Sequence, residues 1–178
     1  QQKQFCDLTD NYVMDLNNAI NSKNEIKINK VKKQRQEDLD ALMPMGKYQN
    51  WIVKLVSIKQ IKSPKNKNTD GDSAAVFELS CGSQIGSGSF LIDGVLSWGA
   101  TIKYKSRQYR EVSKLSAGDF AIISGVFLKL NEFIPNERET YYASRPLTSK
   151  DLANLKNNKY GNGDELFLAF LTYIAAAN

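Results

Sequence analysis

Between Trp98 and Arg110 the chain interleaves aromatic rings with cations: Trp98, Lys103, Tyr104, Lys105, Arg107, Tyr109 and Arg110. Such rings stack on nucleobases for roughly 1–3 kcal/mol each, while Lys and Arg displace counterions along a phosphate backbone. These seven residues are the candidate ligand-binding set, and single-stranded nucleic acid is the ligand they would suit. Lys27, Lys30, Lys32, Lys33 and Arg35 could extend such a surface, although Glu37, Asp38 and Asp40 follow at once. The competing reading is a solvated face of an Asn/Lys-rich protein whose rings belong to the core. A net charge of only +5 favours it.

Other chemistries fall away on residue types. The chain has no histidine, which excludes an imidazole base, a Ser-His-Asp relay and histidine metal ligation. Its two cysteines, Cys6 and Cys81, are too few for a four-thiolate zinc site and leave either one disulfide or two free thiols. Asp70, Asp72 and Asp93 lack the ligand series of a calcium hand and read as acidic turns. Glu137 and Glu139 are close in sequence on a loop edge, with nothing marking a sugar cleft. Ser113-Lys114 and Ser149-Lys150 are adjacent pairs outside a Ser-x-x-Lys frame, so they read as surface residues. Gly82, Gly86 and Gly88 meet neither the Walker nor the dinucleotide spacing and suggest a bend in a coiled strand. The residues thus predict no catalytic group, no metal and no cofactor.

The elements that must position the candidate set follow from periodicity. Leu8, Tyr12, Leu16, Ala19 and Ile20 recur at spacings of three and four, predicting a helix that Asp7 or Thr9 would cap. Ile28, Val31, Arg35, Leu39 and Leu42 predict a second helix, stopped by Pro44 and Gly46. Asn21 to Asn24 either breaks the two into a hairpin, the favoured reading, or merely weakens one long rod. From Trp51 the period changes to two: Trp51, Val53 and Leu55 alternate with Ile52, Lys54 and Val56, and strands are also expected at 74–80, around Trp98 to Tyr104, at 120–130 and at 139–144. Residues 59–72 read as an exposed loop. Thr148 should cap a short helix, and 167–174 is an apolar segment of undecided type. Turns such as Gly118-Asp119 between β-branched runs are what a small closed barrel requires. The fold class expected is α+β, a small antiparallel β-barrel over 47–178 with a C-terminal extension, preceded by an N-terminal helical hairpin over 1–46, in one domain of 178 residues.

A Trp-led first strand and a late Leu-x-x-Gly-Asp-x-x-x-x-Ser-Gly-x-Phe motif resemble the oligonucleotide/oligosaccharide-binding (OB) fold. More narrowly, the pattern is similar to uncharacterised bacterial proteins of the tRNA-anti-like barrel type. Asn24-Glu25, Arg35, Asn50-Trp51, Leu115, Gly118, Asp119, Ser124, Gly125 and Phe127 carry the resemblance. It departs at Val53, where a glycine would be usual, and in the lysine-rich loop after Lys59. The resemblance implies a fold and brings no catalytic residues.

With 42% hydrophobic and 24% charged residues the chain is an ordinary globular composition, and no window approaches the ~20 apolar residues of a membrane span. A polar start at Gln1 without an initiator Met reads as a mature exported chain, periplasmic or secreted, or as a trimmed one. In an oxidising compartment Cys6 and Cys81 should be bonded, pinning the first helix to the barrel. The expected function is a non-enzymatic protein-interaction module whose partner is another protein, with single-stranded nucleic-acid binding as the alternative. The face of Leu8, Tyr12 and Leu16 either plugs the barrel or docks a partner.

Overall fold

Helix α1 (Gln2–Asn21) and helix α2 (Glu25–Leu42) open the chain in a computed structural model that describes residues 1–61, 71–87, 90–92, 95–97, 101–128, 144–146 and 165–177. The break between the helices is built locally. Lys23 takes a left-handed φ of +52° and its N–H closes on the Ile20 carbonyl, after which the Asn24 side chain accepts from the Lys27 N–H and caps α2. The first helix starts at Gln2, nearly two turns earlier than its Leu8-phased pattern predicts. Asp7 and Thr9 therefore do not cap it: Asp7 pairs with Lys3 at 2.8 Å, and the Thr9 hydroxyl donates to the Cys6 carbonyl inside the helix. Its buried residues are Phe5, Cys6, Thr9 and Ala19, whereas Ile20 is exposed.

After a 3-10 turn at Pro44–Gly46 the chain enters strand β1 (Lys47–Gln60), followed by β2 (Ser73–Glu78), β3 (Gln84–Ser87), a small hairpin of β4 (Phe90–Ile92) and β5 (Val95–Ser97), helix α3 (Arg107–Val112), β6 (Phe120–Phe127), β7 (Ser144–Pro146) and β8 (Glu165–Ala176). Strands β3, β2, β1, β6 and β8 pair in that order, and β3 returns to β8, so the sheet closes into a five-stranded barrel. The pairings are antiparallel except the closing seam, where Gln84, Ile85 and Gly86 run parallel to Leu166, Phe167 and Leu168. The architecture is α+β: a small closed β-barrel preceded by a helical hairpin. Residues 167–174, ambiguous in sequence, are strand, and 102–104 contributes only an isolated bridge between Ile102 and Ser73. The predicted strand at 139–143, the Thr148 helix and the loop over 62–70 lie outside the described residues.

Strand β1 serves two partners because it bends. Its register slips between Leu55 and Ser57 against β2 and between Tyr48 and Trp51 against β6, where Asn50 takes a φ of +55°. The second slip is satisfied across strands: the Asn50 N–H donates to the Ser124 hydroxyl at 3.0 Å. Opposite it, Gly125 passes beneath the Tyr48 ring; a Cβ there would meet the Tyr48 hydroxyl at 2.6 Å and press on the Phe170 carbonyl. Only glycine fits.

The interior is apolar, with Trp51, Leu55, Phe77, Ile85 and Ile123 all at most 1% exposed. One end of it is aromatic and is completed by a helix. Phe5 of α1 is fully buried between Trp51 (5.0 Å between centroids), Phe127 (5.5 Å) and Phe167 (5.0 Å). The plug is therefore Phe5. Beside it, the Gln1 and Gln2 side chains complete the β1 edge that β2 has not yet reached. Gln2 bonds both the N–H and the carbonyl of Ile52, at 2.9 and 2.7 Å, as a neighbouring strand would. Gln1 donates to the Lys47 carbonyl and accepts from the Trp51 indole. A disulfide joins Cys6 to Cys81, 75 residues away, and fixes this helical end to the turn after β2.

Candidate ligand-binding surface

Asp72 organises the predicted aromatic and cationic segment. It lies between the left-handed Gly71 and the first residue of β2, almost fully buried. Its carboxylate accepts from the Thr101 hydroxyl, the Lys103 ammonium and the Tyr104 N–H, all at 2.9 Å. Burial alone would push this carboxyl up. The Tyr104 N–H, the Lys103 ammonium and the Thr101 hydroxyl together more than offset that, holding it below the ordinary aspartate value. With three donors the carboxylate is committed to the fold, and among the described residues no acidic or cysteine cluster could hold a metal ion.

From that clamp the chain turns through Lys105, at φ +61°, into α3. The Ser106 hydroxyl caps the helix by accepting from the Tyr109 N–H at 3.1 Å. The helix is docked on β8: the Gln108 amide donates to the Thr172 carbonyl at 2.8 Å, and Val112 is fully buried.

Six of the seven candidate residues fall in this one turn and helix, and Trp98 lies outside the described residues. Tyr104 is 49% exposed, with the Lys105 ammonium 5.2 Å from its ring and the Tyr109 ring edge-on at 5.2 Å. Tyr109 is half-buried and packs on the core. Lys103 is spent on Asp72, and Arg110 donates to the Lys105 carbonyl. The Arg107 guanidinium lies 5.9 Å from the ring of Tyr173, an exposed residue of β8 that belongs to the set and that its apolar sequence context concealed. Among the described residues Lys105, Arg107 and Arg110 make no ion pair.

The α2 cations do not extend this surface. Arg35 lies over Tyr12 at 3.9 Å and over Phe167 at 5.4 Å, at the start of β8, whereas α3 meets β8 at Thr172, roughly 16 Å further along the strand. The nucleophile pair also separates. The Lys114 ammonium is held by both Glu111 oxygens and the Ser113 hydroxyl donates to the Arg110 carbonyl, so neither activates the other. Ser149-Lys150, Asp70, Asp93, Glu137 and Glu139 lie outside the described residues.

A second surface had no marking in the sequence. On the outer wall Ile52 of β1 pairs with Ile122 of β6, which pairs with Ala175 of β8, and Phe120 lies next to Ile122 on the same face. Ile52 and Phe120 are each 56% exposed. They border an open groove of about 760 Å³ between the first turns of α1 and the end of β2, with the disulfide in its lining and Lys3, Lys54, Asp7, Asp10 and Glu78 around it. No family model, no curated protein and no solved structure matches the chain. No helix among the described residues is long and apolar enough to cross a membrane.

Proposed function

We propose that the chain is a non-catalytic binding module, an OB-type barrel of the tRNA-anti-like kind that works in an oxidising compartment and holds a segment of another protein on its outer wall. The observation that carries this reading is the pair of exposed side chains Ile52 and Phe120, set side by side at the mouth of the α1–β2 groove. Large apolar side chains exposed together on a barrel wall are costly to leave in water and are covered by a partner. Charges of both signs around the groove suit a polypeptide, which carries both, better than a polyanion. The Cys6–Cys81 bond supports an exported setting, since such bridges persist outside the reducing cytosol.

Panning a displayed random-peptide library against the disulfide-bonded protein tests the reading. Selected peptides should carry an apolar anchor, compete with one another, and lose at least about tenfold in affinity on Phe120→Asp or Ile52→Asp while Arg107→Ala leaves them unchanged. Peptides indifferent to both wall substitutions would remove this surface from consideration.

One observation favours a second reading. Tyr104 and Tyr173 are exposed rings each adjoined by a cation that makes no ion pair among the described residues, the arrangement used to stack bases and hold phosphates. Fluorescence anisotropy with an oligothymidine then shows binding that weakens with salt and with Tyr104→Ala or Arg107→Ala. Absence of binding at low salt eliminates this alternative.

A further inference from the structure

The net charge of the whole protein, +5, is accounted for by one stretch of the chain that runs from the end of α1 into α2. Residues 16–35 hold six cations, Lys23, Lys27, Lys30, Lys32, Lys33 and Arg35, against the single anion Glu25, and the remaining charges of the chain cancel. This stretch is the far half of the helical hairpin. The hairpin is anchored at its other half, where Phe5, Cys6 and Thr9 of α1 and Leu39 of α2 are buried; beyond Thr9 only Ala19 is buried on α1, and Leu39 alone is buried on α2. From Cys6 to Asn21 the helix runs roughly 22 Å. Apart from Arg35, which lies over Phe167 of the barrel, these cations sit on the part of the hairpin beyond its buried anchor.

The tip is apolar as well as basic. Ile26 is 81% exposed, more than any other large apolar residue described, and Ile20 is 49% exposed on the other side of the turn. On α2, Ile26, Lys30 and Lys33 follow at i, i+4 and i+7 and share the face opposite Ile28, Arg35 and Leu39, the side on which the helix is buried. Lys33 reaches Glu37 at 3.8 Å and Arg35 stacks on Tyr12. Lys23, Lys27, Lys30 and Lys32 make no ion pair among the described residues.

We propose that the hairpin tip docks on an anionic lipid surface, with Ile20 and Ile26 entering the headgroup region and Lys23, Lys27, Lys30 and Lys32 held at the lipid phosphates. A bilayer interface accepts an apolar point and a ring of lysines together, because the aliphatic stems lie along the apolar layer while the ammonium groups stay at the charged one. The tip carries no aromatic ring on which a base could stack, which disfavours a nucleic acid there. This inference does not depend on the outer-wall groove.

The test is co-sedimentation of the disulfide-bonded chain with vesicles of phosphatidylglycerol and phosphatidylcholine, beside vesicles of phosphatidylcholine alone. Binding should require the anionic lipid, fall with salt, drop at least about tenfold in the Lys27→Gln/Lys30→Gln/Lys32→Gln variant, and weaken several-fold in Ile26→Ser. Arg107→Ala should bind as the parent does. All substituted positions are exposed, and an unchanged circular dichroism spectrum shows that the fold is retained. Lack of binding to anionic vesicles, equal binding to the neutral ones, or indifference to Ile26→Ser overturns the proposal. Binding of an oligothymidine or of polyglutamate that is lost in the lysine variant but untouched by Ile26→Ser would instead assign the tip to a polyanion.

Discussion

The two ends of β8 are built to opposite plans. At its start, Phe167 joins Phe5, Trp51 and Phe127 in a dry aromatic cluster that a helix enters and a disulfide holds. Five residues on, α3 and the turn before it lie against Thr172 and Tyr173, with Tyr104 half in water and Lys105 and Arg107 facing solvent. The first end is closed by interactions that exclude water. The second is positioned by a single buried carboxylate, Asp72, and leaves its rings and charges open. Stability and accessibility are thus assigned to different ends of the same barrel.

Removing the plug should have the largest effect. Phe5→Ala empties a site with three ring contacts and should destabilise the fold by about 3–5 kcal/mol, against at most about 0.5 kcal/mol for Arg107→Ala at the open end. Urea unfolding of both variants measures the contrast. Equal losses would mean that α1 is not part of the core. In the denatured chain the Cys6–Cys81 loop spans 75 residues, a constraint of about 4 kcal/mol on a chain-entropy account, so the comparison is made with the bridge intact.

At the open end the effect is smaller and depends on pH. Asp72 carries a lowered pKa in the folded state, so its stabilisation is complete above the ordinary aspartate value near ~3.9 and is lost as pH falls through the folded value. Asp72→Asn keeps an acceptor but loses the charge, and should cost about 1–2 kcal/mol at pH 7. As pH falls through that lowered value the gap to the parent should close. A gap that stays constant down to pH 2 would show that shape, rather than charge, is what Asp72 supplies.

The same division explains what the sequence made legible. Period-two runs in β1 and β6 and the Gly118-Asp119 turn carry the barrel, because alternation is forced wherever one face of a strand is buried: Trp51, Val53 and Leu55 point in while Ile52 points out. Phe5 escaped because the helical pattern was phased on Leu8, and a plug enters the barrel from a helix end rather than from its central stripe. Helix α3 escaped because it has only six residues and follows a Trp98-to-Tyr104 run that reads as strand. The positions carrying the family resemblance do structural work: Asn24 caps α2, Asn50 and Ser124 bridge the β1 bulge, Gly125 admits the Tyr48 ring, and the Asp119 carboxylate accepts from the Ser116 N–H in the turn before β6. Such residues report a fold. Those that would meet a ligand, Ile52, Phe120 and Tyr173 among them, are ordinary strand residues whose exposure only the closed barrel reveals.

Tyr48 gives the smallest and most discriminating effect. Its ring is packed within the aromatic cluster, 4.8 Å from both Trp51 and Phe127, yet its hydroxyl is buried without a hydrogen-bond partner among the described residues, and burial pushes its pKa well above the usual tyrosine value. A buried hydroxyl that has given up water for nothing is a cost to folding, so Tyr48→Phe should leave stability unchanged or raise it by up to about 1 kcal/mol. The ring, and with it the seat over Gly125, stays. Chemical denaturation at pH 7 resolves the sign. A loss above about 1 kcal/mol would mean that the hydroxyl is bonded in solution, and the closed end would then contain a polar anchor like the one Asp72 provides at the open end.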